Sequence, residues 1–192
     1  MTPTTLRIIR NEHATLSAML QSMEMMIKRG PHDAPEQFFD VLRAMLFYID
    51  EFPERLHHPK ETELLFPRVA QHAPEIQATL DKLSADHAIS EVAVRELQHL
   101  LLAWELVGES RRQTFEDAAR GYIAQYLSHM RLEESVVLPA AERVLGAADW
   151  HALDHAFGSN HDPLAASQAR DPVYDRLFTR IVMRAPAPIG VG

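Results

Sequence analysis

Apolar residues recur at steps of three and four along four long stretches of this chain, and strict alternation is hard to find. That spacing gathers them on one side of an α-helix and gives a β-strand no buried face. The first stretch, residues 3–29, carries Leu6, Ile9, His13, Leu16, Leu20, Met23 and Ile27 in one stripe. Pro3 suits a first helical turn, and Gly30-Pro31 stops it. The second runs from Pro35 to Gln71, with Phe38, Leu42, Met45, Ile49 and Phe52 in line, then Leu56 or His57, Glu61 and Leu64. Pro53 and Pro59 each remove a backbone donor, so a kink or split is expected near them. The third runs from Pro74 to Val107 (Leu80, Leu83, His87, Glu91, Val94, Leu97, Leu101) and stops at Gly108. The fourth runs from Ser110 to Leu145 (Phe115, Ala118, Tyr122, Tyr126, His129, Glu133, Val136, Ala140) and stops at Gly146. Four long amphipathic helices with short connections predict an all-α fold, an up-down antiparallel four-helix bundle, over residues 1–146. Residues 147–184 read as a short C-terminal helical extension packed on the bundle, with helices near Asp149–Phe157 and Val173–Met183. Residues 185–192 read as a flexible tail.

Composition narrows the function classes. The chain has 192 residues, which predicts one domain with a full core. It has no cysteine, which removes disulfides, thiolate metal sites and cysteine nucleophiles. A formal net charge of -8 with no long basic run argues against nucleic acid. No apolar run approaches the roughly 18 residues of a membrane span, and the N-terminus turns charged before a signal-peptide core can form. A cytoplasmic protein is expected. Acyl transfer and nucleotide chemistry lack their Gly-x-Ser-x-Gly and phosphate-cradling motifs.

Histidine is the unusual component, 11 against 4 Tyr and 2 Trp. His13, His57, His87 and His129 each fall in the apolar stripe of a different helix, and three have a Glu four residues later: Glu61, Glu91 and Glu133. Residues four apart share a helix face. Counted from the turns near 73 and 108, the His57, His87 and His129 groups lie at matching depths at roughly 1.5 Å per residue. The count for His13 does not match and leaves an offset to the bend at Pro53 or to a longer first loop. Unpaired carboxylates are costly in an apolar interior, and buried charges are paired or hold metal. Six or seven nitrogen and oxygen donors exceed one tetrahedral zinc. They suit two metal ions joined by bridging carboxylates. Imidazole and carboxylate without thiolate favour iron, with Zn or Mn as substitutes.

The segments Asn11-Glu12-His13, HHPKETELLFP from His57 to Pro67, Asp86-His87, and HMRLEESVVLP from His129 to Pro139 resemble the hemerythrin-like, HHE cation-binding family. The resemblance spans about residues 5–145. It implies a four-helix bundle with a non-heme di-iron centre, two iron ions in all. His13 and His57 would ligate one iron, His87 and His129 the other, and Glu61 and Glu133 would bridge them. Oxygen carriers of this family have a second histidine on the third helix where this chain has Glu91. A third carboxylate favours the ferric state, so the resemblance implies sensing, iron handling or a stress response to oxygen, NO or peroxide in place of oxygen transport. The alternatives are an oxidoreductase (ferroxidase, or peroxide or NO reduction) and a metal-free interaction bundle. The expected partners are a small ligand such as oxygen or NO, and a second copy in a homodimer, with no nucleic acid and no membrane.

Other residues receive plainer readings. His58 lies about 100 degrees round the helix from His57 and is expected to face outward or back a ligand. His151, His155 and His161 read as surface or packing residues, and so do Tyr122 and Tyr126 as core, with orientation of the ligands as their second reading. Met23, Met25 and Met26 read as core filler.

Overall fold

The computed structural model describes residues 3–32, 34–160, 162, 164 and 172–192. Among them there is no strand, and the chain is an up-down antiparallel four-helix bundle. The first arm is α1 (Thr4–Arg29). The second is one helical rod built from α2 (Pro35–Ile49), a π segment (Asp50–His57), the turn α3 (His58–Lys60), a second π segment (Glu61–Leu65) and α4 (Phe66–His72). The third arm is α5 (Gln77–Val107). The fourth joins α6 (Arg112–Leu132), a π segment (Glu133–Val137) and α7 (Leu138–Val144). Each arm packs on its two neighbours, α1 on α2 and α6, and α5 on α2 and α6.

The stops act as the sequence predicts. Gly30 takes φ +76 and its N–H donates to the Met26 carbonyl, closing α1. A Cβ there would lie 3.2 Å from the Arg112 guanidinium, so both backbone and neighbour favour glycine. Pro53 lies inside the first π segment, and Pro59 opens α3. The rod underwinds at these positions without splitting, each proline giving up only its own backbone donor.

The apolar core forms two layers. One holds Leu16, Met23, Leu42, Ile49, Val94, Trp104 and Phe115 towards the α1–α2 and α5–α6 turns. The other holds Ile9, Phe66, Val69, Leu83, Val137 and Phe157 at the opposite end. The buried polar residues His13, His57, His58, Glu61, His87, His129 and Glu133 belong to neither layer.

In the C-terminal region α8 (Ala147–Phe157) packs on α1 and α9 (Asp175–Arg184) on α2. The backbone N–H and hydroxyl of Thr5 donate to Asp154 Oδ1 at 2.7 and 2.6 Å. Residues 185–192 differ from the expected flexible tail. Ala185 and Pro186 are buried, Ser22 Oγ donates to the Pro186 carbonyl at 2.8 Å, and Ile189 N–H donates back to Ser22 Oγ at 3.0 Å. A buried serine on α1 needs a partner, and the final segment supplies it. No helix among the described residues is long and apolar enough to cross a membrane.

Candidate metal centre

The four arms bring seven side chains to one level. Two groups of donor atoms each lie within 4.8 Å of one another: His13, His57, Glu61 and Glu133, and His58, Glu61, His87 and His129. Glu61 belongs to both. All seven residues are buried, and the two glutamates are fully so. The depth offset for His13 does not keep it away, since its ring centroid is 5.2 Å from that of His57.

The donors converge without satisfying one another. Both oxygens of Glu61, both oxygens of Glu133 and His57 Nε2 are buried with no hydrogen-bond partner. His57 Nε2 is 2.8 Å from Glu61 Oε1 but lacks hydrogen-bond alignment. Glu133 Oε2 lies 3.4 Å from His13 Nε2 and 3.9 Å from His129 Nε2, between the two groups. Five orphaned polar atoms aimed at one small volume are costly unless a cation is there. The donor set, imidazole nitrogen and carboxylate oxygen without sulfur, fits a pair of transition-metal ions.

Each imidazole is aimed by its other nitrogen. His57 Nδ1 donates to Glu12 at 2.6 Å, His87 Nδ1 meets Thr62 Oγ1 at 2.8 Å, and His13 Nδ1 donates to Glu134 at 2.9 Å. His129 Nδ1 stands 3.6 Å from Asp86. These partners form a ring around the bundle, because Glu12 precedes His13, Thr62 follows Glu61, Asp86 precedes His87 and Glu134 follows Glu133. The residue beside a donor on one arm holds the histidine of the next arm. A proton fixed on Nδ1 leaves the Nε2 lone pair free for metal.

Two expectations require correction. His58 does not face outward: it is buried, its ring stacks on His87 at 3.9 Å, and its Nδ1 donates to buried Glu54 at 2.9 Å. A π segment ends at His57, and its smaller turn per residue lets neighbours straddle the interior, His57 towards α1 and His58 towards α5 and α6. Glu91, expected among the donors, is exposed and pairs with Arg95 at 2.8 Å. Its arm has no π segment, and Ser90 takes the inward position, donating to Glu54 at 2.6 Å. The cluster thus holds five imidazoles and two carboxylates. His58→Ala should lower metal content, and Glu91→Ala should leave it unchanged; elemental analysis of the two purified variants reads both.

The tyrosines go beyond packing. Tyr126 OH and His58 Nε2 lie 2.8 Å apart, a contact that metal binding at that nitrogen would replace, and Tyr122 donates to Glu54 at 3.1 Å. Met23 and Met26 fill core as expected, whereas Met25 is exposed. His151 and His155 are exposed on α8, and His161 lies outside the described residues. Spacing missed Glu12, Glu54, Thr62, Asp86 and Glu134. The available signal was a polar residue directly beside a buried donor, and for Glu54 its position four before His58.

In the metal-free cluster protons take the place of cations. Burial pulls the His13 imidazole down, but Glu133 and Glu134 outweigh it and hold the group up at about 9. Burial also opposes charge on His57, and Glu61 and Glu12 raise it well above its usual value. Burial and the charge on Glu133 push Glu61 up to about 8. His58, His87 and His129 are lowered, chiefly by burial, and stay neutral. Metal must displace the protons of His13, His57 and Glu61. Affinity should therefore fall as pH drops below about 9, and more steeply below about 8 where Glu61 also takes its proton, by roughly tenfold per unit for each proton displaced. Zinc competition with a chromophoric chelator at several pH values measures this, and a flat profile contradicts it.

No curated protein matches the chain at significant similarity. The family described as Hemerythrin HHE cation binding domain matches residues 4–141. That span contains every member of the buried donor cluster. With a bundle of the expected topology and a metal-ready interior, the chain belongs to the hemerythrin HHE cation-binding family.

Proposed function

We propose that this protein is a non-heme di-iron protein that takes a small ligand, oxygen, NO or peroxide, on its His13–His57 side. The observation that carries this reading is the asymmetry of the donor set. One group has three imidazoles, and the other has two and sits beside a cavity. That cavity, about 20 Å³, is lined by Leu16, Tyr48, Phe52 and Leu56 next to His13 and His57. It has room for one small molecule. The space beside the three-imidazole group is about 10 Å³.

Iron, when bound, would supply one-electron redox chemistry and an open coordination position. The chain supplies the rest. The ring of Glu12, Thr62, Asp86 and Glu134 presets four imidazoles, so little reorganisation is needed on metal binding. The two apolar layers above and below exclude water. Glu61 belongs to both donor groups and would join the two positions.

Sensing, iron handling or a stress response is the role proposed. Glu91 lies outside the cluster, so no third carboxylate weighs against oxygen carriage. Carriage is therefore tested directly. Metal analysis and an absorption spectrum of aerobically purified protein should give about two iron per chain with intense near-ultraviolet charge-transfer bands. Iron-free protein that also takes up no ferrous iron anaerobically overturns the reading. Clean release of oxygen on deoxygenation would make it a carrier. Turnover with an electron donor and peroxide or NO would make it an enzyme, and stoichiometric binding alone a sensor or scavenger.

A further inference from the structure

We propose that Asn160, contributed by the C-terminal extension beyond the family match, is a positioning residue of the His13–His57 metal position. It acts by clamping Glu12 and, through Glu12, the His57 imidazole. The inference rests on the metal reading above and assigns that position a determinant outside the four-helix bundle.

Asn160 follows α8, and only 3% of its surface is exposed. Its Nδ2 donates to both oxygens of Glu12, at 2.8 and 3.0 Å. Glu12 Oε2 in turn accepts from His57 Nδ1 at 2.6 Å. The Asn160 Oδ1 accepts from the Lys60 ammonium, which also donates to the Ala156 carbonyl at 2.9 Å and Ser159 Oγ at 3.1 Å. The amide orientation is dictated by charge. Turned over, it would set its oxygen against a carboxylate and its NH2 against an ammonium. An amide is thus the side chain that fits between these two groups, and an aspartate would repel Glu12.

The consequence reaches the metal. With one carboxylate oxygen committed to His57 and both held by Asn160, Glu12 has one orientation and His57 keeps its proton on Nδ1. The same segment walls the ligand cavity. Asn160 and Asp162 line it together with His13 and His57, and Asp162 accepts from Tyr48 OH at 2.7 Å.

The test uses the full chain, stripped of metal and titrated with cobalt(II), whose visible bands report coordination. The wild type should fill two positions with distinct spectra. Asn160→Asp should weaken one step about tenfold and shift its bands, with the other step unchanged, which is the scale of lost outer-shell support. In a Glu12→Ala background the same substitution should have no further effect. Asp154→Ala, which frees α8 from Thr5 without touching Glu12, should leave the titration as in wild type. If Asn160→Asp does not fold, Asn160→Ala removes both bonds without adding charge and is read the same way. Unchanged titration in the Asn160 variants overturns this inference alone. So does an equal loss in Asp154→Ala, or an Asn160 effect that persists without Glu12. A wild type that binds no cobalt overturns the metal reading and this inference with it.

Discussion

Glu61→Ala is expected to empty both metal positions, whereas Glu133→Ala should chiefly empty the one beside His13 and His57. Glu61 is the donor common to both groups, it is fully buried, and neither oxygen has a hydrogen-bond partner. Its burial has no compensation in the protein beyond His57 and His87, at 2.8 and 3.5 Å. Removing it leaves three imidazoles on one side and two imidazoles with Glu133 on the other. The first set is neutral and lacks a bridge to the second. Elemental analysis should fall from about two metals per chain to near zero in Glu61→Ala, and to about one in Glu133→Ala. Two metals retained by Glu61→Ala would show that it does not join the positions. Equal losses in both variants would make Glu133 an equal partner.

The second large effect is on stability. Metal-free protein should melt well below the loaded form. A ligand bound only by the folded state stabilises it by about 4 kcal/mol at a thousandfold excess over Kd, and two sites double that. For a chain of this size each kcal/mol shifts Tm by about 2–4 °C, so the difference should be on the order of 15 °C or more. The direction follows from the orphaned atoms. Without metal, the Glu133 carboxylate is held in a dry interior by protons on His13 and His57, and Glu61 by taking a proton itself. Paired thermal melts of apo and reconstituted protein check this, and coincident curves would mean the cluster is satisfied without a cation.

The same buried charges explain what was legible in the sequence. Steps of three and four place four histidines and two glutamates on helix faces turned inward, and the structure brings six of the seven candidate donors together. Helix stops were equally local: Gly30 and Gly108 take positive φ where α1 and α5 end.

Spacing failed where the helix was not α. The arithmetic for His58 assumed 100 degrees per residue. The π segment Asp50–His57 breaks that period, so two adjacent histidines both point inward. Conversely, Glu91 sits four after His87 on a regular helix and was placed inward by position alone, yet the interior at that level is taken by Ser90 and Glu54. Neither outcome is a property of one helix. Each depends on which neighbour already occupies the space.

By itself the sequence determined the helices, their stops and the residue types that demand a cation, because period and punctuation are local properties of the chain. Tertiary structure alone decided which imidazoles share a metal position, which neighbour holds each ring, and that Asn160 reaches Glu12 across 148 positions. Those choices arise from packing four arms and an extension around one buried level. There the free energy of a side chain is set by the groups facing it, and no spacing along the chain encodes them.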